Sequence, residues 1–192
     1  QGIISSTQAL SYAFGGWEPP WGIVFVLDSA NVYLVLLVAF VSVIATLYAY
    51  TMLAREIAVE DLPKAYAVWL LAIASLFGLA MTGDAFNLFV FLEISALSSI
   101  TLIALGAGQD RRALLAAYNY LIIGAIGATF YVIGVGYLYA ATGSLNLIDI
   151  TDRLNELGTN QAAITGLAFM LAGIMVKAGV FPVHIWLPAA YS

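Results

Sequence analysis

Five stretches of this sequence, 29–54, 65–83, 85–107, 113–141 and 161–181, are apolar and long enough to cross ~30 Å of hydrocarbon as helices rising ~1.5 Å per residue. The chain has 17 charged residues, 6 Lys and Arg with 11 Asp and Glu, and only Glu93 and Lys177 fall inside these stretches. Such a partition predicts an all-α, polytopic transmembrane helical bundle. A transmembrane domain is expected over 29–192, preceded by an external loop or hairpin over 1–28.

The composition excludes several function classes. With 63% apolar and 9% charged residues, there is too little polar surface to solvate a globule of 192 residues. A soluble enzyme, a disordered chain and a nucleic-acid reader are all ruled out. The net charge of −5 also removes the basic footprint that phosphate or anionic lipid would need. With no Cys, disulfides, thiolate nucleophiles and iron–sulfur ligation are absent, and one His cannot build a histidine metal cluster. No Gly-rich loop precedes a Lys-Ser/Thr pair, and Gly134-Val135-Gly136 lies inside a span, so no nucleotide fingerprint is present. No cofactor and no metal are expected.

Orientation follows from Lys and Arg in the short loops. Loops 55–64 and 108–112 hold Arg55, Lys64, Arg111 and Arg112, whereas 1–28 and 142–160 hold only Arg153. Residue 1 is therefore expected outside and residue 192 on the cytoplasmic side of a cell inner (cytoplasmic) membrane. Trp17, Trp21 and Trp69 suit the aromatic belts at the interfaces. The chain begins with Gln and stops in an apolar run, so further helices are expected on both sides.

Local signals refine this layout. Ile23–Leu27 reads as one strand of a short hairpin after the turn cluster Gly15-Gly16-Trp17-Glu18-Pro19-Pro20. Asp61 with Pro63 reads as a helix start, and Thr82-Gly83-Asp84 is a tight turn that makes spans two and three an antiparallel hairpin. Asp84 and Asn87 are expected to cap the third span. A short surface helix is expected near 147–157.

The two intramembrane charges carry the functional argument. Glu93 lies nine residues after Asp84, ~14 Å along a helix and near mid-bilayer. A bare charge there costs ~2.5–3.5 kcal/mol on insertion scales, so it faces protein or water. It marks an ion path, or it is a protonated acid bonded to a neighbour. Asn87 and Ser98 share one side of the same helix and Glu93 another, which argues for enclosure by other helices. Lys177 shares a stripe with Gly166, Met170 and Gly173; glycines there admit a second helix closely, so the Lys points into packed protein. Snorkelling to the surface is the alternative.

Span five runs on into Phe181-Pro182-Val183-His184-Ile185-Trp186-Leu187-Pro188. Pro182 cannot donate to the carbonyl of Ala178, and a break inside an apolar stretch beside a charge is typical of discontinuous helices lining ion sites. Plain termination at Pro182 is the other reading. His184 is either a proton relay or an interfacial anchor. Gly124, Gly127 and Gly134 in span four read as packing faces.

The run Thr82-Gly83-Asp84-Ala85-Phe86-Asn87-Leu88-Phe89-Val90-Phe91-Leu92-Glu93-Ile94-Ser95, with Lys177-Ala178-Gly179-Val180-Phe181-Pro182-Val183-His184-Ile185-Trp186-Leu187-Pro188, resembles the antiporter-like membrane subunits. These are shared by Mrp-type sodium/proton antiporters, respiratory complex I (NADH-quinone oxidoreductase) and membrane-bound hydrogenases; the first run looks most like the branch formed by the D-type Mrp and hydrogenase proteins. The resemblance implies a fold of two inverted helical repeats, each with a broken helix, of which this chain supplies most of the first. It also implies that Glu93 and Lys177 are the paired ion-translocating residues, with other membrane subunits as partners and protons, or sodium with protons, as the ions. The family motif usually has an acidic residue soon after its Trp-Leu-Pro; Ala189-Ala190 stand there in this chain.

The implied mechanism is a carboxylate–ammonium switch. Burial disfavours both charges, mutual attraction restores them, and separating the two releases the Lys proton. A non-transporting scaffold and a carrier of an organic solute are the alternatives. Backbone rise alone places Glu93 and Lys177 at different depths.

Overall fold

The computed structural model describes residues 9–106, 112–158, 160–184 and 186–191. Loop 108–112, used above for orientation, lies outside the described residues except for Arg112. Strands β1 (Leu10–Ala13) and β2 (Val24–Leu27) form an antiparallel hairpin in which Leu10 pairs with Leu27 and Ala13 with Val24. The expected strand over 23–27 is thus present. Among the described residues seven α-helices follow: α1 Ser29–Glu56, α2 Leu62–Met81, α3 Ala85–Leu105, α4 Arg112–Thr142, α5 Leu147–Leu157, α6 Gln161–Lys177 and α7 Trp186–Tyr191.

Helices α1 to α4 are long and apolar enough to cross a membrane. The fifth expected span differs. Its helix, α6, has 17 residues and ends at Lys177, four residues short of the predicted 181.

Local chemistry accounts for the helix starts. Asp28, Asn146 and Asn160 cap α1, α5 and α6 by accepting backbone N–H groups of their first turns. Leu62 opens α2 just after Asp61, with Pro63 in the first turn, where a missing N–H costs nothing. The surface helix expected near 147–157 is α5, whose buried Ile150 joins the core.

The core sits at the hairpin end of the bundle. Tyr131, Val135 and Leu138 of α4 pack with Ala85, Ile150 and Ala163, and Leu88, Phe89, Leu92 and Met170 close around them. Tyr131 is 1% exposed, and its hydroxyl donates to the Ala85 carbonyl at 3.2 Å. Three extended segments strap this end together. Gly83 N–H donates to Val24 O, Leu147 N–H to Gly83 O and Ala85 N–H to Leu145 O. The tight turn at 82–84 is therefore also the midpoint of a clamp between β2 and the segment leading into α5.

Trp69, read as a belt residue, donates its indole N–H to Thr46 Oγ1 at 3.0 Å and joins α2 to α1. Trp17 and Trp21 of the hairpin connection are 70% and 86% exposed.

Candidate functional site

Helix α6 stops for a reason that lies before Pro182. Gly179 has φ +63°, a left-handed conformation that side chains with a Cβ rarely adopt. With it, Gly179 N–H reaches Val176 O at 3.2 Å and Val180 N–H reaches Met175 O at 3.0 Å. These two bonds form the Schellman arrangement, which satisfies the last carbonyls of a helix. Pro182 then follows where a helix cannot resume. Sequence alone credits the break to Pro182; the helix ends earlier, at Lys177, with Gly179 closing its C-terminus.

Lys177 is consequently the last residue of α6. An ammonium there sits at the negative end of the helix dipole, a favourable place for a cation. Its Nζ lies 2.8 Å from Glu93 Oε1 of α3, forming an ion pair and a charge-assisted hydrogen bond across 84 residues of sequence. The Lys177 side chain is 9% exposed, which excludes snorkelling; that of Glu93 is 31% exposed. Counting backbone rise separates the two in depth. Helix side chains lean toward the N-terminus of their own helix, so the four-carbon lysine stem reaches back toward the level of Glu93.

Helix α4 backs this pair. A Cβ at Gly173 would fall 2.5 Å from the Gly127 carbonyl oxygen, and one at Gly134 would fall 2.5 Å from Gly166 O. The glycines read as packing faces are where α4 and α6 touch backbone to backbone. Tyr120 of α4 stacks on Trp186 of α7 at 4.5 Å and 14°. Trp186, 5% exposed, donates its indole N–H to Val176 O at 3.2 Å, one residue before Lys177. Neither Tyr120 nor Trp186 stands out in the sequence, because aromatics are common in apolar helices. Trp186 is visible there only as part of the motif after Pro182.

His184 lies in the break with its ring 5.6 Å from that of Phe181. Its Nδ1 is buried without a hydrogen-bond partner among the described residues, and no described bond joins it to Glu93 or Lys177. The structure thus brings Glu93 and Lys177 together, and no described hydrogen bond ties His184 to either.

Asp84, 6% exposed, caps α3 by accepting the Asn87 N–H at 2.7 Å, as expected. Asn87 in turn donates its side-chain amide to Thr82 Oγ1 at 2.9 Å. Burial pushes the Asp84 carboxyl above its usual range, against the lowering effect of the backbone N–H groups of Asn87 and Phe86. An acid raised in the folded state is most favourable when protonated, below pH ~3.8, and loses stability as pH rises toward its folded value. Asp84→Asn keeps a capping oxygen without the buried charge. We expect its melting temperature to gain on the wild type as pH rises through that window; a constant difference from pH 4 to 8 would show that the buried charge has no such cost.

Comparison with known proteins shows the family and the fold. Residues 82–192 match the family described as NADH:quinone oxidoreductase/Mrp antiporter, TM. The chain is 48% identical over 181 residues to NADH-quinone oxidoreductase subunit N of Desulforudis audaxviator, covering 94% of this chain and 35% of that protein. It is 34% identical over 185 residues to the D-type component of the Na(+)/H(+) antiporter of Bacillus subtilis, covering 96% and 36%. In structure it is similar to a chain of the archaeal membrane-bound sulfane sulfur reductase, with a TM-score of 0.83 and 34% identity over 93% of this chain and 35% of that one. The chain spans about a third of the length of the curated relatives it matches. The match over residues 82–192, more than half of its length, shows that this chain belongs to the NADH:quinone oxidoreductase/Mrp antiporter membrane family.

Proposed function

We propose that this chain is the ion-translocating part of an antiporter-like subunit within a larger membrane complex, and that Glu93 and Lys177 form its switch. The observation that carries the reading is the 2.8 Å pair at a helix break, with the lysine 9% exposed. In contact, carboxylate and ammonium stabilise each other's charge; apart, each is a lone charge in a poorly solvated interior. A partner-driven shift that separates them expels the ammonium proton, and re-approach lets the lysine reload. The chain needs such drive from neighbouring membrane subunits.

The translocated ion is the proton, and sodium enters as its exchange partner where the parent complex is an antiporter. The positive loops 55–64 and 108–112 put residue 1 outside and residue 192 on the cytoplasmic side of the inner membrane. His184 stands in the break as a relay between the switch and the rest of the protein.

Glu93→Gln in the full-length protein tests the reading. It keeps a hydrogen-bond acceptor for Lys177 and removes the charge. In inverted vesicles, the proton gradient read by a fluorescent dye should fall by roughly 100-fold or more, as expected when one partner of a proton-transfer pair is lost. A gradient of wild-type size would defeat the switch, and wild-type gradients that do not change with added sodium would exclude sodium exchange.

A further inference from the structure

Gly124, Gly127 and Gly134 of α4 all border α6, yet they are not equivalent. A Cβ at Gly127 would come within 2.9 Å of the Val176 side chain and 3.2 Å of Gly173 O, and one at Gly134 within 2.5 Å of Gly166 O. Helix packing requires glycine at both. At Gly124 the nearest atoms to a Cβ would be the Tyr120 ring at 3.7 Å and Lys177 Nζ at 3.9 Å, both ordinary contacts, although the position is buried. Alanine would fit there, and alanine is the better helix former. Neither packing nor helix formation accounts for this glycine. What it leaves is a methyl-sized gap beside a buried ammonium.

We propose that Gly124 and Tyr120 shape a second seat for the Lys177 ammonium, into which it moves when it leaves Glu93. The proposal rests on the reading of Glu93 and Lys177 as an ion switch. Such a switch needs a second position for the ammonium, and the interior next to Gly124 supplies it on the side of α4. The Tyr120 ring walls that gap. Its stack on Trp186 ties the wall to α7, and Trp186 also holds the carbonyl of Val176, next to Lys177. Movement of α7 is thereby passed both to the seat and to the lysine. Among the described residues, the titratable groups shown beside the ammonium are Glu93 from α3 and Tyr120 from α4; between Arg112 and Thr142, α4 carries no acid or base other than tyrosines. Gly124 and Tyr120 are positioning residues, acting through Lys177.

Gly124→Ala in the full-length protein, within its native complex, tests the seat. With the gap filled, the ammonium is held against Glu93 and its proton is harder to release. We expect normal assembly, a translocation rate lower by roughly threefold or more, and a pH–rate profile displaced to higher pH. Gly136→Ala makes the same change in the same helix at an exposed site where a Cβ meets nothing within 4 Å, and should leave both readouts at wild-type values. A Gly124→Ala protein with wild-type rate and profile overturns the seat, as does one that fails to assemble, or an equal effect from Gly136→Ala. Lys177→Ala run beside them separates the two levels: if it translocates normally, the switch itself is wrong, whereas if it is inactive and Gly124→Ala is normal, only the seat is.

Discussion

Lys177→Ala is expected to abolish proton translocation while leaving most of the protein assembled. The substitution leaves Glu93 without its partner. Removing one member of a buried pair costs about 3–5 kcal/mol, and the 31% exposure of the Glu93 side chain puts the cost at or below the lower end of that range. The fold therefore survives, and the exchange of a proton between two groups does not.

A double variant, Lys177→Ala with Glu93→Gln, distinguishes a switch from a scaffold. Both charges are then gone, so stability should recover toward wild type. Under the switch, translocation stays at background in the dye assay. Full recovery of translocation in the double variant would instead mean that the pair only holds α3 to α6, and would overturn the mechanism.

Gly173→Ala, like Gly134→Ala on the same α4–α6 seam, should damage the fold severely. Its Cβ would lie 2.5 Å from Gly127 O and 2.7 Å from Tyr131 N, both backbone atoms that cannot swing aside. Only a shift of α4 away from α6 relieves this, at a cost of about 1–3 kcal/mol for overpacking and more if the core around Tyr131 opens. Lys177 lies one turn further along the same face, so the shift also moves the ammonium relative to Glu93. Thermal melting of the detergent-solubilised protein should show a drop of several degrees, with translocation falling in parallel. A melting temperature equal to the wild type would mean that the α4–α6 contact is not as close as described.

Much of the fold is legible along the chain because its causes are local. Hydropathy marks helices α1 to α4 to within about three residues, since an apolar run in lipid has to satisfy its own backbone. Caps are equally local: Asp84 closes the start of α3, and Asn146 closes that of the surface helix α5. Where two signals compete, sequence misplaces the boundary. Pro182 is the stronger helix breaker, but Gly179 comes first and its left-handed backbone completes the terminating hydrogen bonds, so α6 ends at Lys177.

The candidate site divides in the same way. That Glu93 and Lys177 face protein or water rather than lipid follows from the sequence, because a charge inside hydrocarbon is expensive wherever its helix packs. That they meet at 2.8 Å does not, because contact across 84 residues depends on the register between α3, α4 and α6. The α4–α6 part of that register is set by backbone contacts at Gly127, Gly134, Gly166 and Gly173, which spacing along one helix cannot align with another. The same limit hides the difference between Gly124 and its neighbours: all three glycines look alike in sequence, and only the atoms opposite each one distinguish a packing contact from a space beside the lysine. The sequence by itself determined a membrane bundle with two buried charges, since burial and hydropathy are properties of each segment. The tertiary structure decided which groups those charges face, since that is a property of how the helices pack.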